Sequence, residues 1–176
     1  MALELPETIR QALIGWGVQA LRGTDGIRLL ATEGLHVTLC FLGWRSPEEI
    51  DAIKAGCAVL AGAAEPELEL GPPRWLPRRQ PRVLAVELGD QGGRLVRAQA
   101  RLSETLAAGG WYRPENRPFL PHVTVARVGR GARAPRKTLA TPPGLGFRAS
   151  RVTLYRSRLM RSGARYEALA GVELAG

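Results

Sequence analysis

The sequence predicts an α/β protein built from two similar halves. Segments typical of strands alternate with segments that carry apolar residues at helical spacing. The chain has two histidines, and each begins the same tripeptide, His-Val-Thr, at His36 and at His122. In each half a strand, a helix and a loop precede that tripeptide, over a similar length of chain. We therefore expect one domain over 1–176, with halves of about 1–82 and 83–176.

The first half begins with a short apolar segment, 2–5, that predicts a strand. A helix is predicted from Pro6-Glu7 onward because apolar side chains then recur at helical spacing: Ile9, Leu13, Ile14 and Trp16. Residues 36–43 are apolar and β-branched, which predicts a buried strand. Ser46 followed by proline and two glutamates is a typical helix start, and we expect that helix to reach about Leu60.

The second half repeats this order. Residues 83–88 predict a strand, 92–108 a helix with Leu95, Leu102 and Leu106 on one face, and 121–128 a second buried strand. Between and after these elements we expect a strand at 67–70, a basic loop at 72–81, an irregular Gly/Pro/Arg-rich stretch at 129–146 that is mobile, and a closing hairpin that turns near Ser162-Gly163.

The charge balance favours a polyanionic partner. Lys and Arg total 25 against 16 Asp and Glu, and all but Lys54 and Lys137 of these cations are arginine. The planar arginine fork suits bidentate contacts to phosphate and stacking on bases. No apolar run approaches the length of a membrane span, and Glu4, Glu7 and Arg10 interrupt any secretory signal. We expect a soluble, cytoplasmic protein with no membrane role.

The two cysteines have no spacing typical of a metal or redox site. Cys40 lies in a predicted strand and Cys57 in a predicted helix, so both are expected to be small buried hydrophobes. The alternative is a catalytic Cys40 activated by His36.

The duplicated tripeptide predicts an acid–base site. Residues i and i+2 of a strand face the same side, so His36 points with Thr38 and His122 with Thr124. If the two strands lie side by side, two imidazoles and two hydroxyls line one cleft. One neutral imidazole can take a proton from water while the other, protonated, gives one to a leaving oxygen, and the hydroxyls can bind phosphate oxygens. Such a site requires no metal ion.

The wider motifs resemble the 2H phosphoesterase superfamily, and within it the RNA 2′,3′-cyclic phosphodiesterases, also called 2′-5′ RNA ligases. The resemblance rests on Leu-His-Val-Thr-Leu-Cys-Phe-Leu-Gly from Leu35, on Pro-His-Val-Thr-Val-Ala-Arg from Pro121, and on the closing strands around Tyr155 and Tyr166. It implies a bilobal α/β (α+β) fold, with antiparallel sheets flanking a central cleft and helices outside. The similarity extends over essentially the whole chain.

The resemblance also implies a reaction and residue roles. The reaction would be hydrolysis of an RNA-terminal 2′,3′-cyclic phosphate to a 2′-phosphomonoester, with reverse 2′-5′ ligation as a minor activity. His36 would be the general acid, His122 the general base, and Thr38, Thr124 and Arg127 would bind the phosphate. The near-symmetry of the site leaves the order of acid and base open from the residues alone.

Further expectations concern RNA binding. Phe41 is predicted to stack on a base or to belong to the core. Two basic segments, 74–82 and 127–137, are predicted either to guide the RNA backbone or to be solvated loops. The expected partner is RNA with a cyclic phosphate end, such as a tRNA fragment. We expect nucleotides to bind the cleft of a monomer, and no cofactor.

Two alternatives remain. The chain is a 2H phosphodiesterase for another cyclic phosphate, such as a cyclic nucleotide or ADP-ribose cyclic phosphate, or for a 2′-5′ linkage. Otherwise it is an RNA-binding module without catalysis. Turnover and product analysis separate these readings.

Overall fold

The histidine tripeptides lie at the centre of a curved antiparallel sheet. A computed structural model describes residues 1–135, 138–160 and 163–176. The strands of this described part are β1 Ala2–Glu4, β2 Ile27–Leu29, β3 His36–Thr38, β4 Glu67–Leu76, β5 Val83–Gln91, β6 His122–Val128, β7 Gly146–Arg148, β8 Arg151–Met160 and β9 Gly163–Glu173. Its α-helices are α1 Glu7–Ala20, α2 Ile50–Cys57 and α3 Arg94–Ala108.

The strand order relates the two lobes of the sheet. It runs β7-β4-β5-β6-β3-β1-β8-β9, with β2 also pairing β6. The central strands β3 and β6 are antiparallel, with Val37 opposite Val123. On one side β6 is followed by β5 and β4, and on the other β3 is followed by β1 and β8. Each lobe therefore contains strands from both predicted halves of the chain. β4 of the first half lies beside β5 of the second, while β8 and β9 of the second half extend the lobe of β1. The predicted antiparallel α/β architecture with two lobes is confirmed.

Apolar periodicity positions the helices against the sheet. In α1 the side chains of Ile9, Leu13 and Trp16 are buried. In α3 the predicted stripe Leu95, Leu102 and Leu106 is buried, together with Ala98 and Ser103. Both helices follow the predicted pattern, because burying one face of a helix is what most stabilises it in a protein of this size.

The predicted helix 46–60 is composite. A 3₁₀ turn, Pro47–Glu49, precedes α2, and a second one, Ala58–Leu60, follows it. Ser46 and Glu49 form a capping box, in which the backbone N–H of Ser46 donates to Glu49 Oε2 at 2.8 Å. The predicted start is therefore confirmed.

The strand predicted at 36–43 is shorter than expected. It ends at Thr38, because the backbone N–H groups of Leu39 and Cys40 both donate to the carbonyl of Met1 and leave the sheet ladder. Val37, Leu39 and Cys40 are buried as predicted, whereas Phe41 is exposed.

The basic loop predicted at 72–81 is in part a strand, since β4 continues to Leu76. Its outer neighbour β7 pairs only from Glu67 to Glu69, so Pro72 and Pro73 lie where that edge needs no N–H donor. A β-bulge between Leu70 and Pro73 accommodates them.

The C-terminal hairpin is confirmed as β8 and β9, with Leu159 opposite Ala164. Of the turn predicted near Ser162-Gly163, Ser162 lies outside the described residues, as do Arg136 and Lys137 of the second basic segment. The described residues between 129 and 145 form neither helix nor strand. None of the helices in the described chain has the length and apolarity required to cross a membrane.

Candidate active site

The first histidine lies on the face of β3 that is turned away from the core. Val37 is fully buried between His36 and Thr38, so those two side chains share the opposite face, as predicted. The neighbouring strand β1 pairs Glu4 with His36 and Ala2 with Thr38. Directly paired residues of antiparallel strands project to the same side, so Glu4 shares the face of the imidazole.

The second histidine repeats this arrangement on β6. Its neighbour β5 pairs Glu87 with His122 and Ala85 with Thr124. Ala-Leu-Glu of β1 and Ala-Val-Glu of β5 thus oppose the two His-Val-Thr tripeptides in the same register. The sequence analysis missed this second repeat. Its signal is a pair of Ala-x-Glu tripeptides, each on a strand adjacent to a histidine strand.

A β-bulge brings Arg127 to the same face as His122. Strict alternation would place Arg127 with Val123 and Val125, on the core side. The register of β6 against β5 shifts where Ala85 pairs with Thr124 and Leu84 with Ala126, so Val125 is the extra residue of a bulge. Val125 and Ala126 are both fully buried in succession, and Arg127 then emerges exposed. The structure therefore joins Arg127 to the predicted site.

Each imidazole is fixed by the backbone two residues before it. Nδ1 of His122 lies 2.7 Å from the carbonyl oxygen of Leu120, and the ring of His36 hydrogen-bonds the backbone of Gly34. A carbonyl can only accept, so Nδ1 of His122 is the donor, and the neutral form of the ring is the tautomer with its lone pair on Nε2. Both histidines are thereby oriented without any side-chain partner in their own tripeptide.

The environment of His36 favours its neutral form. Burial lowers the pKa of His36 to about 4, and the positive charges of the Met1 amine and of Arg127 act in the same direction. The hydrogen bond to Gly34 opposes this shift. An anion bound beside Arg127 would offset those positive charges and raise the pKa of His36.

Two tyrosines form a wall around His36. The rings of Tyr166 and His36 are nearly perpendicular, with centroids 4.9 Å apart, and the Tyr155 ring lies 6.1 Å from the imidazole and 5.9 Å from the Tyr166 ring. The Tyr155 hydroxyl donates to Glu4 Oε1 at 2.9 Å, and Thr153 donates to the same oxygen at 2.5 Å. Burial and this carboxylate raise the pKa of Tyr155 to about 12, so it remains a donor.

The corresponding carboxylate beside His122 has a different partner. Glu87 forms an ion pair with Arg74 of the neighbouring strand β4.

The two predicted basic segments carry several exposed arginines. Arg74 belongs to the first segment and pairs with Glu87, whereas its exposed cations Arg78, Arg79 and Arg82 have no described ion pair. In the second basic segment Arg130 and Arg133 are exposed.

Phe41 and Cys40 follow the end of β3, and the structure separates their two environments. Phe41 lies on the loop after β3 with 79% of its surface exposed, and Trp44 of the same loop is 83% exposed. The core alternative for Phe41 is therefore wrong.

Cys40 is buried, and that burial raises the pKa of its thiol to about 11, which disfavours the thiolate a nucleophile requires. In the described chain no three His, Cys, Asp or Glu side chains are grouped so as to hold a metal ion.

Sequence comparison places this chain in a known family. The family model of the 2′-5′ RNA ligase superfamily matches residues 6–159. The chain belongs to this superfamily. It is 31% identical to the RNA 2′,3′-cyclic phosphodiesterase of Escherichia coli K12, over 96% of this chain and 91% of that protein. It is 32% identical to the enzyme of the same name from Thermus thermophilus, over 99% and 89% of the two chains.

Solved structures of the 2′-5′ RNA ligase superfamily agree with this placement. The crystal structure of E. coli LigT in complex with 3′-AMP superposes with a TM-score of 0.82 at 29% identity, covering 99% of this chain and 96% of that one. The predicted family and its fold are thereby confirmed.

Proposed function

We propose that this protein hydrolyses the 2′,3′-cyclic phosphate at an RNA end to a 2′-phosphomonoester. The observation that carries the proposal is the paired register on β3 and β6, where two imidazoles, two threonine hydroxyls and Arg127 occupy one face. Two curated relatives with the name RNA 2′,3′-cyclic phosphodiesterase support it. The basic charge of the chain supports RNA as the substrate.

In the proposed reaction His122 accepts a proton from water as the water oxygen attacks phosphorus. The bond from phosphorus to the 3′ oxygen breaks, and His36 donates a proton to that oxygen. The product carries a 3′ hydroxyl and a 2′-phosphate. Thr38, Thr124 and Arg127 bind the phosphate oxygens, and the charge of Arg127 stabilises the negative charge that develops on them.

The acid role of His36 depends on the substrate. With a pKa of about 4 the free enzyme holds His36 neutral at pH 7. The cyclic phosphate is an anion, and it would occupy the space beside Arg127, whose charge helps to lower that pKa. Substrate binding then favours uptake of the proton that His36 delivers.

Other expectations remain proposals. By microscopic reversibility the same residues support attack of a 5′ hydroxyl on the cyclic phosphate, which forms a 2′-5′ bond. Exposed Phe41 is proposed to stack on a base, and nucleotides are proposed to bind the cleft. Action as a cytoplasmic monomer on tRNA fragments, without a cofactor, stays a prediction.

The test uses an RNA oligonucleotide that ends in a 2′,3′-cyclic phosphate, incubated with the protein and excess EDTA. Mass spectrometry and a 2′- or 3′-specific phosphate digest assign the product. The expected result is a 2′-phosphate formed without metal. A 3′-phosphate would contradict the proposed choice of leaving group. Absence of turnover by folded protein would favour another cyclic phosphate or an RNA-binding module, which a panel of cyclic nucleotides and a binding measurement then separate.

A further inference from the structure

A small pocket lies next to the candidate active site. Two arginines and one tyrosine provide its chemistry: Arg28 on β2, Arg127 on β6 and Tyr166 on β9. The rest of its wall is small or apolar, formed by Leu29, Leu30, Ala31, Gly34, Gly163 and Ala164. Among the described residues that line it there is no carboxylate. The formal charges of this lining are thus positive, which favours an anion.

The two arginines are held side by side by the sheet. Arg28 of β2 lies directly opposite Arg127 of β6 in antiparallel register. Like charges at directly opposed positions destabilise a strand pair. The bulge at Val125 sets the side on which Arg127 emerges, so both guanidinium groups line the same pocket. An anion between them could accept hydrogen bonds from both guanidinium groups.

Gly163 lies close to the guanidinium of Arg28 in this pocket. A side chain at Gly163 would begin 3.1 Å from Nη1 and 3.4 Å from Nη2 of Arg28. Gly163 also has a φ of +130°, a backbone conformation that disfavours other residues. Glycine therefore suits this close contact of the β8–β9 hairpin with Arg28, because a larger residue would be strained at this φ and would displace the guanidinium.

The pocket is continuous with the surroundings of His36. Tyr166 lines the pocket and packs nearly perpendicular to the His36 imidazole. Gly34 lines the pocket and hydrogen-bonds the His36 ring. The charge of Arg127 acts on His36 and also enters the pocket. The pocket therefore adjoins the His36 imidazole, where a ligand that extends from the phosphate at the histidines would lie.

We propose that this pocket binds the phosphodiester on the 5′ side of the terminal ribose. Arg28 would then be a specificity-determining residue, since it recognises an RNA end by its second phosphate. This inference rests on the proposed function. It predicts that a dinucleotide with a cyclic phosphate end is hydrolysed with a higher kcat/KM than the corresponding 2′,3′-cyclic mononucleotide, by roughly tenfold or more, because hydrogen bonds to charged groups are the strong ones.

The test compares two dinucleotides that share a 2′,3′-cyclic phosphate end and differ only in the internal linkage. One has a natural phosphodiester and the other a neutral methylphosphonate, and the first nucleoside of each carries a 2′-O-methyl ribose to keep the linkage stable. We expect the charged linkage to be favoured about tenfold in kcat/KM. Equal kcat/KM values would overturn the proposal and would assign the pocket to a base or to no part of the substrate.

Variants link the preference to Arg28. In Arg28→Gln the ratio of the two kcat/KM values should fall to near one, while Arg28→Lys should retain part of it. The matched control is Arg97→Gln on α3, which removes the same charge from an exposed position and should keep the wild-type ratio. A ratio that changes equally in Arg28→Gln and Arg97→Gln would reflect net charge alone and would contradict a built subsite.

A binding measurement separates this inference from the proposed function. Isothermal titration calorimetry compares a dinucleotide 2′-phosphate with a nucleoside 2′-phosphate and requires no turnover. If no cyclic phosphate is hydrolysed, the proposed function fails, yet tighter binding of the dinucleotide that is lost in Arg28→Gln would still support the subsite. Equal affinities would overturn the subsite whatever the catalytic result.

Discussion

The lobes around His36 and His122 share one backbone pattern and differ in what surrounds it. In both, His-Val-Thr pairs with Ala-x-Glu on the adjacent strand, and a carbonyl or backbone group two residues before the histidine fixes its ring. Around His36, β8 and β9 add two tyrosines, and Glu4 accepts from the hydroxyls of Thr153 and Tyr155 and lies 3.7 Å from Arg151 Nε. Around His122, β4 adds an arginine that pairs with Glu87.

This difference shows how a near-symmetric sheet can place two identical imidazoles in unlike surroundings. The central strands place two identical imidazoles in equivalent positions. The outer strands, which are not equivalent in sequence, then supply an aromatic wall and hydroxyl donors beside His36, and Arg74 of β4 beside Glu87 on the other side. Opposite roles in proton transfer require unlike surroundings of this kind.

The largest expected effect tests whether both lobes are needed. His36→Ala and His122→Ala should each lower kcat on a cyclic-phosphate RNA by roughly 10²–10⁴-fold, the usual contribution of general acid–base catalysis. The double variant should lose much less than the product of the two losses, because the residues act as a unit. Rates are measured by gel in EDTA, and circular dichroism checks folding. Near-normal activity in either single variant would contradict a catalytic role for that histidine.

The next prediction tests whether Arg127, which the β6 bulge turns to the histidine face, binds the phosphate. Arg127→Gln should lower kcat/KM by roughly 10–100-fold, since a hydrogen bond to a charged phosphate is worth about 1.5–3 kcal/mol. The matched control is Arg130→Gln, three residues later and exposed beyond the end of β6, which removes the same charge. Equal losses in the two variants would show that net charge, and not the position of Arg127, binds the phosphate.

A smaller effect compares the two carboxylates. Glu4→Gln removes the charge that Tyr155 and Thr153 contact and keeps an acceptor oxygen, so only the charge-assisted part of the hydrogen bonds is lost. We expect a loss in kcat of about 3–10-fold, because a bond to a charged group is worth about 1 kcal/mol more than a neutral one. Tyr155→Phe should give a similar loss, and combining the two should add little. If the two losses in kcat were fully additive, Tyr155 and Glu4 would act independently, which would contradict one shared hydrogen-bond network.

The histidine pair was predictable from sequence because histidine is rare here and the tripeptide is duplicated. Arg127 was found through the family motif, whereas strict strand alternation would have placed it in the core. Only the register against β5 shows the bulge that turns it outward. Glu4 and Glu87 were missed because their link to the histidines depends on which strands become neighbours.

Long-range pairing also explains the remaining differences. Tyr155, Tyr166 and Arg28 come from β8, β9 and β2. Tertiary contacts that no local pattern shows place β8 beside β1, β9 beside β8 and β2 beside β6. The early end of β3 depends on the Met1 carbonyl, and the long β4 on how far β7 covers its edge. Helices α1 and α3 were predicted well because their apolar spacing is local.

The most direct test of unlike surroundings is an NMR titration of the two imidazoles, free and with a nucleoside 2′-phosphate bound. With two histidines in the chain, one His122→Gln variant assigns both signals. We predict that His36 of the free protein is neutral above about pH 5 and takes up its proton near pH 4, and that the bound phosphate moves this midpoint upward. A His36 midpoint near 6.5 in the free protein, or one that phosphate leaves unchanged, would contradict the account.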